Sequence, residues 1–177
     1  MILECFQTLE DRENPDEVER YGPFICARND VWLGKGYYFW DTNIEWAHGW
    51  GQSYQANGYI ICQASIRHDE MILDLAGNVR HMMAFERIYK ILRERVPAQE
   101  RADILVRDLI AALQKTNSIP FDGIRANHEH TSPLIVKFNK ERKEYLIINR
   151  PMQICLLNKK NILSHTFRIV FPEKYVE

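Results

Sequence analysis

The apolar positions of this chain change period several times, and each change marks a predicted element. Residues 2–8 predict a first strand, and 15–21 a short helix that opens at Pro15 and stops at Gly22. Ile25 to Leu33 leads into a glycine corner, followed by a Tyr37-Tyr38-Phe39 strand. Asp41 or Thr42 then caps a helix, with Glu45 three residues past Thr42 completing a capping box and Gly49 and Gly51 weakening the run. Tyr59 to Ile66 predicts a strand from its β-branched and aromatic content, with a short extension over Met71 to Leu75. Met82, Phe85, Tyr89 and Leu92 fall at helical spacing over 79–95. Pro97 separates that helix from a second over 98–115, with Ile104, Leu105, Leu109, Ala112 and Leu113 on its apolar face. Strands resume near Phe121 to Ala126, Leu134 to Phe138, Tyr145 to Ile148, Gln153 to Leu157 and Phe167 to Phe171. Strand-like and helical pieces in this order predict an α+β domain over residues 1–177, a mixed sheet with helices to one side, without repeats or linkers.

Composition changes that picture little. With 177 residues and 46% apolar content the chain can build one core. A net charge of −1 removes any global electrostatic case for nucleic acid or anionic membrane. Cys5, Cys26, Cys62 and Cys155 lack CxxC spacing and read as free thiols of a reducing compartment. No basic-then-apolar leader and no run of roughly 18 apolar residues occurs, so the expectation is a cytoplasmic protein without a membrane partner. No Ser-His-Asp or phosphate-loop signature supports a hydrolase or a kinase.

The densest chemistry lies at Gly34-Lys35-Gly36-Tyr37-Tyr38-Phe39-Trp40-Asp41. Glycines flanking a lysine let the backbone approach a ligand or take positive φ, while consecutive tyrosines on a strand face opposite sides, so one can line a cleft as the other packs inside. Such a layout suits a planar ring. Near the C-terminus, Glu144-Tyr145-Leu146-Ile147-Ile148-Asn149 is followed by Gln153-Ile154.

These two pieces, in this order, resemble motifs of the diphtheria-toxin-like ADP-ribosyltransferases, above all the poly(ADP-ribose) polymerase branch. In that family a Gly-Lys-Gly-x-Tyr-Phe-x-Asp strand precedes a helix with a small residue, here Ala47, and a glutamate opens a strand reading Glu-Tyr-Ile-Val-Tyr-Asp. The resemblance implies the family's split mixed sheet with flanking helices and NAD as the bound substrate. It implies Tyr38 against the nicotinamide, backbone contacts from Gly36, and Glu144 as the carboxylate that stabilises charge developing on the ribose. On the first strand the family carries a histidine followed by glycine; this chain has Gln7 and Thr8, so Gln7 would replace the histidine. Trp46 stands where many relatives place a serine, and Trp50 nearby could offer a stacking face. A small domain of this type resembles bacterial toxins and phage-defence effectors, transferring ADP-ribose to a protein or nucleic-acid acceptor under a possible antitoxin or regulatory partner.

Two alternatives stay open. One is a catalytically inactive module of the same fold, favoured by the missing histidine-glycine pair. The other is a nucleic-acid-acting toxin, for which the basic turn Lys140, Arg142 and Lys143 and the pair His128 and His130 are the hints. Those two histidines could supply half of a metal site, but no third ligand at recognised spacing accompanies them, so a solvated loop is the favoured reading and no metal is expected.

Overall fold

The computed structural model describes residues 1–54, 56–116, 120–127, 134–141 and 143–176. Nine strands and four α-helices follow in chain order: β1 (Ile2–Glu10), α1 (Pro15–Tyr21), β2 (Tyr37–Asp41), α2 (Ile44–Tyr54), β3 (Tyr59–Arg67), β4 (Ile72–Asp74), α3 (Val79–Arg95), α4 (Val106–Thr116), β5 (Gly123–Asn127), β6 (Ile135–Lys137), β7 (Tyr145–Ile147), β8 (Met152–Leu156) and β9 (Arg168–Phe171). Seven strands form one mixed sheet in the order β4-β5-β8-β2-β1-β3-β9, and β6 and β7 form a separate two-stranded ribbon. The α+β class is therefore as expected. Among the described strands of this sheet only β4 and β5 run parallel; the other neighbours are antiparallel.

Helix α2 starts from a different cap than the sequence suggests. Asn43, not Thr42, accepts the N–H of Glu45 at 3.0 Å, while Thr42 sits at φ 63° and bonds the Asp41 carboxylate. Gly51 does not end the helix. It leaves room for the ring of Tyr59, which a Cβ would meet at 2.4 Å. The helix predicted over 98–115 divides into a 3₁₀ turn (Ala98–Asp103) and α4. The break comes where the Asp108 carboxylate captures the Leu105 N–H at 2.9 Å and so caps a new helix. By contrast α3 keeps its expected span, with Asn78 accepting from the N–H groups of Arg80 and His81.

Side-chain alternation sorts the core onto two faces. Leu73, Ile124, Ala126 and Cys155 pack against Ile88 of α3 and Leu109, Ile110 and Leu113 of α4, and Phe6, Trp40 and Ile61 pack against Ala47 of α2. The opposite face holds Cys5, Phe39, Ala64, Ile154 and Leu156 with Ile162 and Phe167 over them. It also seats Val18 of α1 on Ile60, Cys62 and Ile169.

What positions the site is the meeting of β1 and β2. All nine residues of β1 pair with β3, yet its other edge meets β2 only at Cys5–Asp41 and Phe6–Trp40. Beyond Phe6 the strands part, because β2 follows β8 through Tyr37 to Trp40 instead.

At the closed end a buried charge cluster ties the strands together. Arg125 of β5 donates to Asp41 at 2.7 Å and to both oxygens of Asp74 at 3.3 Å. Asp74 also accepts from the N–H groups of Ala76 and Gly77. Burial works against its charge, but these N–H groups, with Arg125 and His68 beside it, outweigh that and hold the carboxyl below its ordinary range. His68 Nε2 lies 3.3 Å from Asp74 Oδ2 without hydrogen-bond geometry.

Candidate functional site

Where β1 and β2 part, a cleft of about 420 Å³ opens, within the usual range for small-molecule sites. One side is β1 from Gln7 to Glu10, the floor is Tyr38, Phe39 and Trp40 of β2 with Gln153 of β8, and Trp50 of α2 closes one end. The remaining wall is the segment before β2, through Phe24, Cys26, Arg28, Val31 and Trp32.

The edge of β1 offers backbone groups to this space. In an antiparallel strand the N–H and C=O of one residue point to the same side, and successive residues alternate. The Thr42 N–H bonds Glu4 O and the Asp11 N–H bonds Gly58 O, so even-numbered residues of β1 address β2 and odd-numbered ones address β3. With β2 gone after Phe6, the N–H and C=O of Thr8 and Glu10 face the cleft without a strand partner. The Thr8 hydroxyl is directed elsewhere, donating to Ala47 O at 2.9 Å.

Three polar side chains in the cleft are instead bound to its wall. The Gln7 amide grips the main chain of Phe24, donating to its C=O at 2.9 Å and accepting its N–H at 2.9 Å. Gln7 therefore positions the wall, and its amide is not open to ribose hydroxyls as the resemblance implied. The Tyr38 hydroxyl accepts the Leu33 N–H at 3.0 Å and donates to Gly34 O at 2.8 Å. Tyr38 lines the cleft, and its phenol is pushed up by burial and by the neighbouring Cys155. The Trp32 indole donates to Gln153 Oε1 at 3.0 Å, leaving the Gln153 amide nitrogen with no hydrogen-bond partner among the described residues.

The two motif glycines serve different ends. Gly34 turns the chain at φ 91°, a conformation that disfavours a side chain. Gly36 exchanges both backbone hydrogen bonds with Cys26, and a Cβ there would lie 2.5 Å from Cys155 Sγ and 2.6 Å from Leu156 O. Its backbone is thus committed, and Gly36 does not line the cleft; the available backbone groups belong to Thr8 and Glu10.

Glu144 is not among the cleft-lining residues either. It precedes β7 in the separate ribbon and is exposed, because the place beside β2 is taken by β8. Among the described residues lining the cleft the carboxylate is Glu10, which Arg12 holds at 2.8 Å. That hydrogen bond, with a second from Asn57, lowers the Glu10 carboxyl from its ordinary value.

Trp50 closes the cleft as part of a run of rings, 6.2 Å from Trp40 and stacked on Tyr54 at 4.1 Å. Tyr37 points to the other face, where it packs against the cluster of Phe39, Ile154 and Leu156 with the Lys159 ammonium over its ring.

Sequence reasoning named Gln153 only as the follower of the Glu144 motif, not as a site residue, and passed over Trp32 and Phe24. Gln153 carried one signal, a polar residue at the start of a run of apolar strand residues; nothing local marked the other two. Burial pushes the Cys155 and Cys62 thiols up to about 12, so neither supplies a thiolate near neutral pH. Among the described residues no three His, Cys, Asp or Glu side chains gather to hold a metal ion, and no helix is long and apolar enough to cross a membrane. His128, His130 and Arg142 lie outside the described residues. No family model, curated protein or solved structure matches the chain.

Proposed function

We propose that the chain binds NAD, nicotinamide end first, in the cleft between β1, β2 and the Phe24–Trp32 wall, as a binding module of the ADP-ribosyltransferase-like class. The observation that carries this reading is the open β1 edge at Thr8, set among Tyr38, Trp40 and Trp50. A nicotinamide ring presents a π face to aromatic walls, and its carboxamide brings one donor side and one acceptor, the complement of a single residue's C=O and N–H. Arg12 and Arg28 supply cationic groups for a pyrophosphate, each already beside a carboxylate, Glu10 and Asp30.

ADP-ribosyl transfer to a protein or nucleic-acid acceptor is the second reading, and Glu10 favours it. It is the next position after Thr8 on the same cleft-facing edge, so Glu10 rather than Glu144 would face positive charge developing on the ribose.

Calorimetry with NAD, nicotinamide, AMP and ADP-ribose tests both. NAD and nicotinamide should compete for one site, and Trp50→Ala should weaken NAD by roughly tenfold, the loss expected of one stacking ring. No NAD binding, or equal affinity for NAD and ADP-ribose, would overturn the nicotinamide-first reading. Release of nicotinamide that is lost in Glu10→Gln and kept in Glu144→Gln would move the conclusion to transfer.

A further inference from the structure

Gln153 is a buried amide with one end to spare. It lies on β8, which pairs with β5 on one side and β2 on the other, so its main chain is fixed from both edges. The residue is 7% exposed, and its side chain shares a face with Trp40 directly opposite, at the floor of the cleft. Its Oε1 accepts the Trp32 indole N–H at 3.0 Å, while Nε2 has no hydrogen-bond partner among the described residues. Among those residues the side-chain atom that is both sealed and without a partner is His68 Nε2, so Gln153 Nε2 still reaches open space. The open space that Gln153 borders is the cleft.

The chemistry of the pair decides which end faces the ligand. A primary amide has donors on nitrogen and an acceptor on oxygen in nearly the same shape, so it fits its slot either way round; an indole N–H only donates. With the amide turned over, Nε2 would meet the indole as donor against donor, and both would be left unsatisfied, a bias of roughly tenfold or more against that form. Trp32 is itself held in place. Val31 and Leu33 on either side of it are buried, the Leu33 N–H bonds the Tyr38 hydroxyl, and the indole packs against the core cluster that α3 and α4 share with the sheet.

We propose that Trp32 is a positioning residue that locks the Gln153 amide with its NH₂ group toward the cleft, so that Gln153 selects planar ligands carrying a hydrogen-bond acceptor, such as a carbonyl, ether or phosphate oxygen, over ligands carrying a donor alone. The β1 edge at Thr8 sets no such preference, because it offers N–H and C=O alike. The inference rests on the cleft being the binding site, but not on the ligand being NAD.

NMR titration of the full chain with two ring fragments tests it: acetophenone, whose carbonyl only accepts, and aniline, whose amine chiefly donates. The unaltered protein should bind acetophenone roughly tenfold more tightly than aniline, the worth of one buried hydrogen bond against an unpaired donor. Trp32→Phe keeps an aromatic ring in the wall but frees the amide to turn, so the ratio should fall toward one, with aniline gaining. Gln153→Glu is nearly isosteric; above neutral pH it keeps one oxygen for the indole and sets the other toward the cleft, so aniline should bind more tightly than to the unaltered protein and acetophenone at least tenfold more weakly. Damage to the fold or the wall weakens both fragments together, so a gain for aniline reports orientation alone. Equal binding of the two fragments by the unaltered protein, binding of neither, or a ratio untouched by Trp32→Phe would overturn the inference. Calorimetry of the same proteins with NAD separates it from the preceding reading. The expected fragment order without NAD binding defeats the NAD reading alone, and NAD binding with an indifferent fragment order defeats this inference alone.

Discussion

The two ends of the β1–β2 pair use the same strands for opposite purposes. At Cys5–Asp41 the strands close, and the charges near them are consumed: Arg125 sits between Asp41 and Asp74 with every partner inside the protein. From Thr8 outward the strands part, and main-chain donors and acceptors stay open among aromatic rings. Three polar cleft groups, from Gln7, Tyr38 and Gln153, go to the wall. One end is satisfied from within, while at the other the Thr8 and Glu10 main-chain groups have no strand partner. The difference lies in strand divergence, since polar and aromatic residues occur at both ends.

The sharpest way to break this contrast is at the closed end. Arg125→Ala leaves two nearly buried carboxylates facing each other and should cost about 3–5 kcal/mol in denaturant unfolding at neutral pH, the usual penalty for half of a buried ion pair. The sign with pH follows from Asp74. Its carboxyl is held below the ordinary range, so its contribution is complete above a normal carboxylate value near 4 and fades as pH falls through the lower folded value. The penalty of Arg125→Ala should therefore shrink below about pH 4. A penalty that stays constant across that window would show that the arginine acts by packing alone.

The motif itself gives the next largest effect. Gly36→Ala drives a methyl into Cys155 Sγ and Leu156 O and should lower stability by about 1–3 kcal/mol, as overpacking does, while protein that still folds keeps its NAD affinity. Weakened NAD binding at unchanged stability would return Gly36 to the ligand. The smallest effect belongs to Glu144→Gln: away from the cleft and exposed, it should shift stability by less than about 0.5 kcal/mol and leave NAD calorimetry unchanged.

Much of the fold was legible because it follows period. Helix α3 and the strands carry regular apolar spacing, and their bounds fall within a few residues of expectation. The breaks were harder, because they depend on single side chains: Asp108 capturing Leu105, and Asn43 taking over the cap from Thr42. The cleft was legible on β1, β2 and α2, where Gln7, Thr8, Tyr38 and Trp50 line it. It was illegible in two respects. Glu144 and Gln153 both lie near strand starts after a turn, and only sheet order decides which strand adjoins β2. The wall reaches the cleft through contacts such as Trp32 to Gln153, which join residues far apart in the chain and leave no local spacing to read.

The open edge of β1 has a consequence for solubility. A bare strand edge in free solvent invites a strand from another molecule, and aggregation begins from such pairing. Here the wall stands alongside that edge, pinned by the Gln7 amide and by the Trp32 indole, on the side where a strand from another molecule would have to pair. The same contacts that shape the site keep an unfinished sheet from being finished by the wrong chain.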